Sequence, residues 1–291
     1  MKLVTYKTKS NQYLIGVMQY PNIIELTSYL QKACKPVGNM VELLRELESN
    51  KALFSELNQY IQSTKNFIPL AEVELQAPLL RPGKIVALGR NYADHAKETG
   101  VQPFEKPRII SKFPSSITGP NTIIHTPPGV TKLDFEIELA VVIGRRAKNI
   151  SRDQALDYVA GYTILNDVSA REFQFDISPP QTTFAKSMDG FCPLGPYILT
   201  ADELTNPQEL ELNLWLNGEL MQHGNTRDML FPVDFQIEYI STFTTLEPGD
   251  IIATGTPAGI GAFRNPPVWL KPGDEVKLSI TYLDALTNTI A

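Results

Sequence analysis

Leu133-Asp-Phe-Glu-Ile-Glu-Leu-Ala-Val-Val-Ile-Gly144 is the most informative stretch of this 291-residue chain. Its first half alternates strictly. Leu133, Phe135, Ile137 and Leu139 fall on one face of a strand, and Asp134, Glu136 and Glu138 on the other, because successive side chains point to opposite sides. Its second half is wholly apolar, the pattern of a strand entering a core. Three acids thus line one edge of a strand about to be buried. Same-face neighbours stand ~6.7 Å apart. At an effective dielectric of ~20 each adjacent pair repels by roughly 2.5 kcal/mol, against about 0.6 in bulk water. On a solvated face that repulsion is trivial; in a cleft, something cationic must offset it. The segment alone leaves both readings open.

Farther along, Gly161-Tyr-Thr-Ile-Leu-Asn-Asp167 reads as a second buried strand ending in a carboxylate. Asp167 could cap the next helix, but Ser169-Ala-Arg-Glu172 already fits a capping box there. Freed from that task, Asp167 with Glu136 and Glu138 would form an all-oxygen site for a hard divalent ion. Mg²⁺ or Mn²⁺ fits, with waters or substrate oxygens in the remaining positions. Calcium is a poorer match, since no DxDxDG loop is present.

Three further stretches carry chemistry. Gly89-Arg-Asn-Tyr-Ala-Asp-His-Ala-Lys-Glu98 follows an apolar strand at Lys84 to Leu88, and His95 and Glu98 share a face if the segment is helical. A carboxylate beside an imidazole orients it and raises its basicity, which suits a general base; the plain alternative is a surface ion pair. Lys186 precedes a Gly/Pro-rich turn and alone reads as a surface charge. Ile251-Ile-Ala-Thr-Gly-Thr-Pro-Ala-Gly-Ile-Gly261 is a strand running into a glycine-rich turn that matches neither a phosphate loop nor GxGxxG. It is either a tight loop or a close backbone approach to a small anion, with Thr256 as a donor.

Composition narrows the field. Hydrophobic residues make up 43% and the net charge is −6, so an ordinary globular enzyme fits and non-specific nucleic-acid or anionic-membrane binding does not. Cys34 and Cys192 cannot build a disulfide framework, and with three histidines and no CxxC or HExxH, zinc-finger and zincin readings fail. The expected compartment is reducing, the cytoplasm; the N-terminus carries no secretory signal and no stretch is apolar enough to span a membrane.

Residues 1 to 75 read as a small first unit. A hairpin joins Lys2–Lys7 to Tyr13–Gln19, and helices carry Val41, Leu43, Leu44 and Leu47, then Leu53, Leu57, Tyr60 and Ile61. Residues 68 to 83, with three prolines, suit a linker. Residues 76 to 291 form the main domain. The chain's 22 prolines, against about 15 expected at ~5%, favour short strands and rigid turns. One helix is expected there, opening on the capping box Ser151-Arg-Asp-Gln154.

Seven pieces then fall in one order: KIVALGRNYADHAKE, KFPSS, DFEIELAVVIG, GYTILNDVSAREFQ, KSMDGFCPLGP, LNGELMQHGNTRDMLF and EPGDIIATGTPAGIG. Over roughly residues 80 to 285 the chain resembles the fumarylacetoacetate hydrolase family. The resemblance implies an α+β, β-rich fold: a mixed β-roll or sandwich catalytic domain behind a small α/β N-terminal domain. It implies Mg²⁺ or Mn²⁺ on Glu136, Glu138 and Asp167, and a catalytic set of His95, Glu98 and Lys186. Arg171, Gln174 and Thr256 match positions that contact substrate. The implied substrate is a small 2-oxo or enol carboxylate, and the implied assembly a homodimer.

The reaction expected first is hydrolytic C–C cleavage of an acylpyruvate-type 2,4-dioxo acid. In it Glu98 orients His95, His95 activates water, the divalent ion serves as electron sink, and Lys186 stabilises developing negative charge. The same apparatus would serve decarboxylation or isomerisation of oxaloacetate or hydroxymuconate-type dicarboxylic oxo acids, or chemistry on ureidoglycolate-like compounds. A metal-dependent ligand-binding protein without turnover is the alternative from another class; the intact His95–Glu98 pair argues against it. The substrate's distal group is expected to be read by the N-terminal domain, the lid and the 223–235 region.

Overall fold

The computed structural model describes every residue except 34, 36, 99, 101 and 103, and the side chains of 96 and 97. Its spine is the strand Ile137–Ile143. Leu139, Val141 and Ile143 enter one core, while Ala140 and Val142 enter a second core on the opposite side. An alternation carried into a layer covered on both faces produces this split. The strand pairs antiparallel with Val159–Asn166 on one side and Ile251–Ala253 on the other. The sheet runs on through Cys192–Thr200 to Lys2–Lys7 in one direction. In the other it passes through Ile85–Gly89, parallel to Ile251–Ala253, to the edge strand Arg108–Lys112.

Helices Met40–Ser49 and Leu53–Ser63 cover one face, inserting Leu43, Leu44, Leu57 and Ile61. A five-stranded sheet that includes Glu211–Leu216, Glu275–Ile280 and Leu283–Ile290 covers the other. It contributes Leu212, Leu278 and Leu286 to the core there, beside Ile237 of the helix Val233–Phe243. The architecture is the strand-rich α+β arrangement expected. The first hairpin falls at Lys2–Lys7 and Tyr13–Gln19, with Asn11 at φ 61 in its turn. Lys2–Lys7 also pairs with Cys192–Thr200, so one sheet runs through both halves of the chain.

Several expectations give way. The proline-bearing 68–83 segment is no plain linker, because Phe67–Pro69 and Glu74–Gln76 both join the large sheet. Arg152–Tyr158 is a 3₁₀ helix, and Ser151 turns its hydroxyl to the Gln154 side chain, 3.4 Å away, instead of capping a backbone amide. The α-helices described in this half are Ala93–Glu98, which puts His95 and Glu98 on one face, Thr182–Ala185, and the longest, Val233–Phe243. The β-branched and aromatic composition of this last helix hides a buried stripe of Val233, Gln236, Ile237 and Ile240, and packing overrides propensity there. The Leu133–Gly144 run is not one continuous strand. It splits into Leu133–Asp134 and Ile137–Ile143, since side chains replace the ladder: Asn166 accepts from the Glu136 amide at 3.0 Å and Gln222 from the Ile137 amide at 3.0 Å. Cys34 lies outside the described residues; Cys192 is a buried free thiol.

Gly161 marks the tightest strand contact. A Cβ there would stand 2.2 Å from the Leu199 carbonyl oxygen and 2.7 Å from Ile198 Cγ2. Gly161→Ala is therefore expected to destabilise the fold by about 1–3 kcal/mol, read as a lower melting temperature. An unchanged melt would show that the two strands separate without cost.

Candidate active site and metal centre

Strand register gathers the chemistry at one end of the large sheet. Ile137 pairs with Asn166, Ala140 with Ala253, Ala253 with Ala87, and Gly89 with Arg108. Three strands finish and two begin along this line, so segments far apart in sequence deliver Glu136, Asp167, His95 and Thr256 to one place. A cavity of about 230 Å³ opens there. Its walls include Glu136, Asp167, His95, Lys186, Arg171, Gln174 and Thr256. Glu138 and Glu98 touch this set through the oxygen cluster and the His95 ring. All nine residues singled out by sequence therefore meet.

The carboxylates are buried and unequally paired. Glu136 accepts from Arg171 Nη2 at 2.6 Å and from Lys186 Nζ at 3.0 Å. Asp167 accepts from Lys112 Nζ at 2.6 Å and from Lys186 Nζ at 2.6 Å. Asp134 accepts from Arg171 Nε at 2.8 Å. Glu138 meets no salt-bridge partner among the described residues, only the Gly255 amide at 2.9 Å. Among the described residues, four buried acids thus face three buried cations, Lys112, Arg171 and Lys186, and the deficit falls on Glu138.

The proton affinities follow from this pairing. Burial by itself would raise the Glu136 carboxyl, but Lys186 and Arg171 outweigh it and hold it at about 2. Burial, then Asp167 and Glu136, push the Glu138 carboxyl well above the usual carboxylate range. For the Lys186 ammonium, burial works downward, but Asp167 and Glu136 outweigh it and raise it.

A divalent cation fits this donor set. One oxygen each from Glu136, Glu138 and Asp167 lie within 4.8 Å of one another. Trans ligands around Mg²⁺ stand about 4.2 Å apart, twice its ~2.1 Å bond, so small rotations would close the cage. The ion would also supply the counter-charge that Glu138 lacks.

His95 is buried, with Nδ1 3.4 Å from Glu98 Oε1. The other Glu98 oxygen accepts from the Gly259 amide at 2.7 Å. The glycine-rich turn does approach anions closely, but the anions are the chain's own carboxylates. Gly255 donates to Glu138, Gly259 to Glu98, and Gly261 and Ala262 to Asp134. A Cβ on Gly261 would sit 2.6 Å from Asp134 Oδ1 and 2.0 Å from the Val268 carbonyl oxygen, so only glycine permits the contact. Thr256 stays free of this clamp; its hydroxyl accepts from Gln222 Nε2 at 2.8 Å.

One capping box dissolves. Ser169–Ala170 is a short strand paired with Leu133–Asp134. The Ser169 hydroxyl donates to the Asp167 carbonyl at 3.0 Å and accepts from Lys186 at 2.8 Å. Asp167 was freed for the site, though not for the reason the capping box suggested. Four participants carried no distinguishing signal as isolated residues. Lys112 is a lone lysine in an edge strand, Gln222 a lone amide, and Arg90 and Arg108 ordinary surface-type cations until folding turns them into the cavity.

Residues 84–291 match the model of the fumarylacetoacetate hydrolase C-terminal domain. The chain belongs to the fumarylacetoacetate hydrolase family. Members of that family are enzymes, and this chain is one by its membership. It is 45% identical over 251 residues to the mitochondrial oxaloacetate tautomerase FAHD2B of Bos taurus, covering 86% of this chain and 79% of that one. A 5-carboxymethyl-2-hydroxymuconate delta-isomerase from Mycobacterium smegmatis superposes with a TM-score of 0.76 at 33% identity, covering 100% of this chain and 98% of its own. The maleylpyruvate hydrolase of Sphingobium sp. SYK-6, solved with manganese(II) and pyruvate, gives a TM-score of 0.80 at 32% identity over 100% and 99% of the two chains. One fumarylacetoacetate hydrolase fold is thus shared by relatives named as a tautomerase, an isomerase and a hydrolase.

Proposed function

We propose that this enzyme interconverts the keto and enol forms of a small 2-oxo carboxylic acid, of the kind its oxaloacetate tautomerase relatives are named for, with Mg²⁺ or Mn²⁺ on Glu136, Glu138 and Asp167. The supporting observation is a carboxylate-oriented imidazole facing an acidic triad across about 230 Å³. Ligand clefts commonly span roughly 300–1,000 Å³, so the substrate has few heavy atoms. A divalent ion, when bound, supplies Lewis acidity toward the oxygens of a 2-oxo acid.

The chain's own groups do the rest. Glu98, tied to Gly259, holds His95 by Nδ1 and leaves Nε2 to take a proton from the carbon beside the oxo group. Returning a proton to the oxygen completes the tautomerisation with no other reactant. Gln174 Oε1 accepts from Arg171 Nη1 at 2.7 Å, so its amide hydrogens remain to meet a ligand oxygen. Thr256 accepts from Gln222, so its own hydrogen remains to donate. The donors of Lys186 are taken up by Glu136, Asp167 and Ser169. Its role is to keep two carboxylates ionised, and this replaces the direct charge stabilisation first expected of it.

Hydrolysis of an acylpyruvate is the second reading, favoured by the likeness to maleylpyruvate hydrolase. It would add a water for His95 to deprotonate. His95→Ala is expected to lower the rate of oxaloacetate enol decay, followed by ultraviolet absorbance with Mg²⁺ present, by about 10²–10⁴-fold. Acylpyruvate cleavage is assayed alongside by mass detection of pyruvate. Undiminished tautomerisation by the variant removes His95 as the base. Robust cleavage with no tautomerisation by the wild-type enzyme transfers the assignment to hydrolysis.

A further inference from the structure

Part of the cavity lining is cationic. Arg90 and Arg108 both line it, and among the described residues neither guanidinium is in salt-bridge contact with a carboxylate. The antiparallel register pairs Gly89 with Arg108, which places the two arginines side by side at the sheet edge. Gly89 has no side chain in the way: a Cβ there would stand 3.4 Å from Arg108 Cδ, so the arginine stem lies across the glycine. Arg90 leaves the strand in the left-handed region at φ 58 and sets its guanidinium 5.6 Å from the centre of the Phe104 ring. Burial, then the Arg108 charge, both weaken the hold of Arg90 on its proton. Two like charges held together in a small cavity are relieved by an anion.

We propose that Arg90 and Arg108 form a second anion subsite that binds the distal carboxylate of a dicarboxylic 2-oxo acid whose other end faces the acidic triad. This deepens the reading above and rests on it for the orientation of the substrate. Arginine suits the task because its planar fork matches a carboxylate. The distal group is read here, at the end of the strand Ile85–Gly89 and the start of Arg108–Lys112. Of the three regions expected from sequence to read it, the lid contributes His95 to the cavity wall, while none of the described residues of 1–75 or 223–235 lines it.

Malate and lactate share a 2-hydroxy acid head and differ by the distal carboxylate. Their affinities for the Mg²⁺-loaded enzyme, by calorimetry, isolate the subsite without turnover. The wild type is expected to bind malate at least tenfold tighter than lactate. Arg108→Gln and Arg90→Gln should each shrink that ratio by several-fold, and the double variant should bring it near one, with lactate affinity held within twofold. The same variants should raise the KM for oxaloacetate. A wild-type ratio near one, or equal weakening of both ligands in folded variants, overturns the subsite. Selective malate binding by a wild-type enzyme that does not act on oxaloacetate supports the subsite and overturns the proposed reaction instead.

Discussion

Glu138→Gln is expected to leave the metal-free protein folded and to abolish its response to divalent ions. Glu138 is the one member of the triad without a salt bridge among the described residues, so the metal-free fold loses no ion pair when its charge is removed. Glutamine keeps an acceptor for the Gly255 amide and removes the repulsion from Asp167 and Glu136. The metal-free melting temperature should therefore hold or rise. In the wild type, Mg²⁺ or Mn²⁺ at 100 times its dissociation constant should add about 2.7 kcal/mol of stability; in the variant that increment should vanish. Activity should fall on the order of a thousandfold, as loss of several kcal/mol of transition-state stabilisation requires.

The direction of the pH effect follows. Because burial and two acids raise the Glu138 carboxyl, a proton competes with the metal for it more strongly than on an ordinary carboxylate. Metal affinity should rise with pH, and binding should release protons, measurable by calorimetry in buffers of different ionisation enthalpy. A Glu138→Gln enzyme that still gains stability from Mg²⁺ would rule out this triad as the metal centre.

Arg171→Met should be the most damaging single change to stability. Arg171 is 2% exposed and bonds Asp134, Glu136 and Gln174 from one guanidinium. Its backbone amide also donates to the Lys132 carbonyl at 2.9 Å. Removing one partner of a buried ion network leaves uncompensated charge and costs about 3–5 kcal/mol, a large share of a total stability of about 5–15 kcal/mol. Arg171→Lys should recover only part of the loss, since an ammonium cannot reach both carboxylates with a fork. The same network governs acid stability. Glu136 is held at about 2, below its unfolded value, so its contribution is present above the ordinary carboxylate range and drains as pH falls toward 2. Chemical denaturation of the variant is the measurement, and a midpoint unchanged from wild type would mean that Asp134 and Glu136 find other partners at no cost.

These expectations also divide Arg171 from the role its sequence position suggested. It lines the cavity, but most of its hydrogen-bonding capacity is spent inside the protein. In the proposed reaction it would act on the substrate largely through Gln174, whose Oε1 it holds at 2.7 Å. A similar distinction applies to Asp134. Strand alternation placed it beside Glu136 and Glu138 as a third acid of one face. In the fold it anchors Arg171 and the amides of Gly261 and Ala262. Alternation reports which side of a strand a residue occupies; it carries no information about what arrives opposite.

Local pattern alone determined the first hairpin, helices Met40–Ser49 and Leu53–Ser63, and the split of residues 137–143 between two faces; the acids, the imidazole and its carboxylate were singled out only by seven motifs falling in one order. The hairpin, the helices and the split are set by neighbours within a few positions, where side-chain periodicity is decisive. Tertiary structure alone decided how charge is distributed among those acids: Lys112, Lys186 and Arg171 come from distant segments and leave Glu138 without a cation among the described residues. It likewise turned Arg90 and Arg108 inward and made Val233–Phe243 a helix. Electrostatic pairing and packing act through space, over separations that no local spacing encodes.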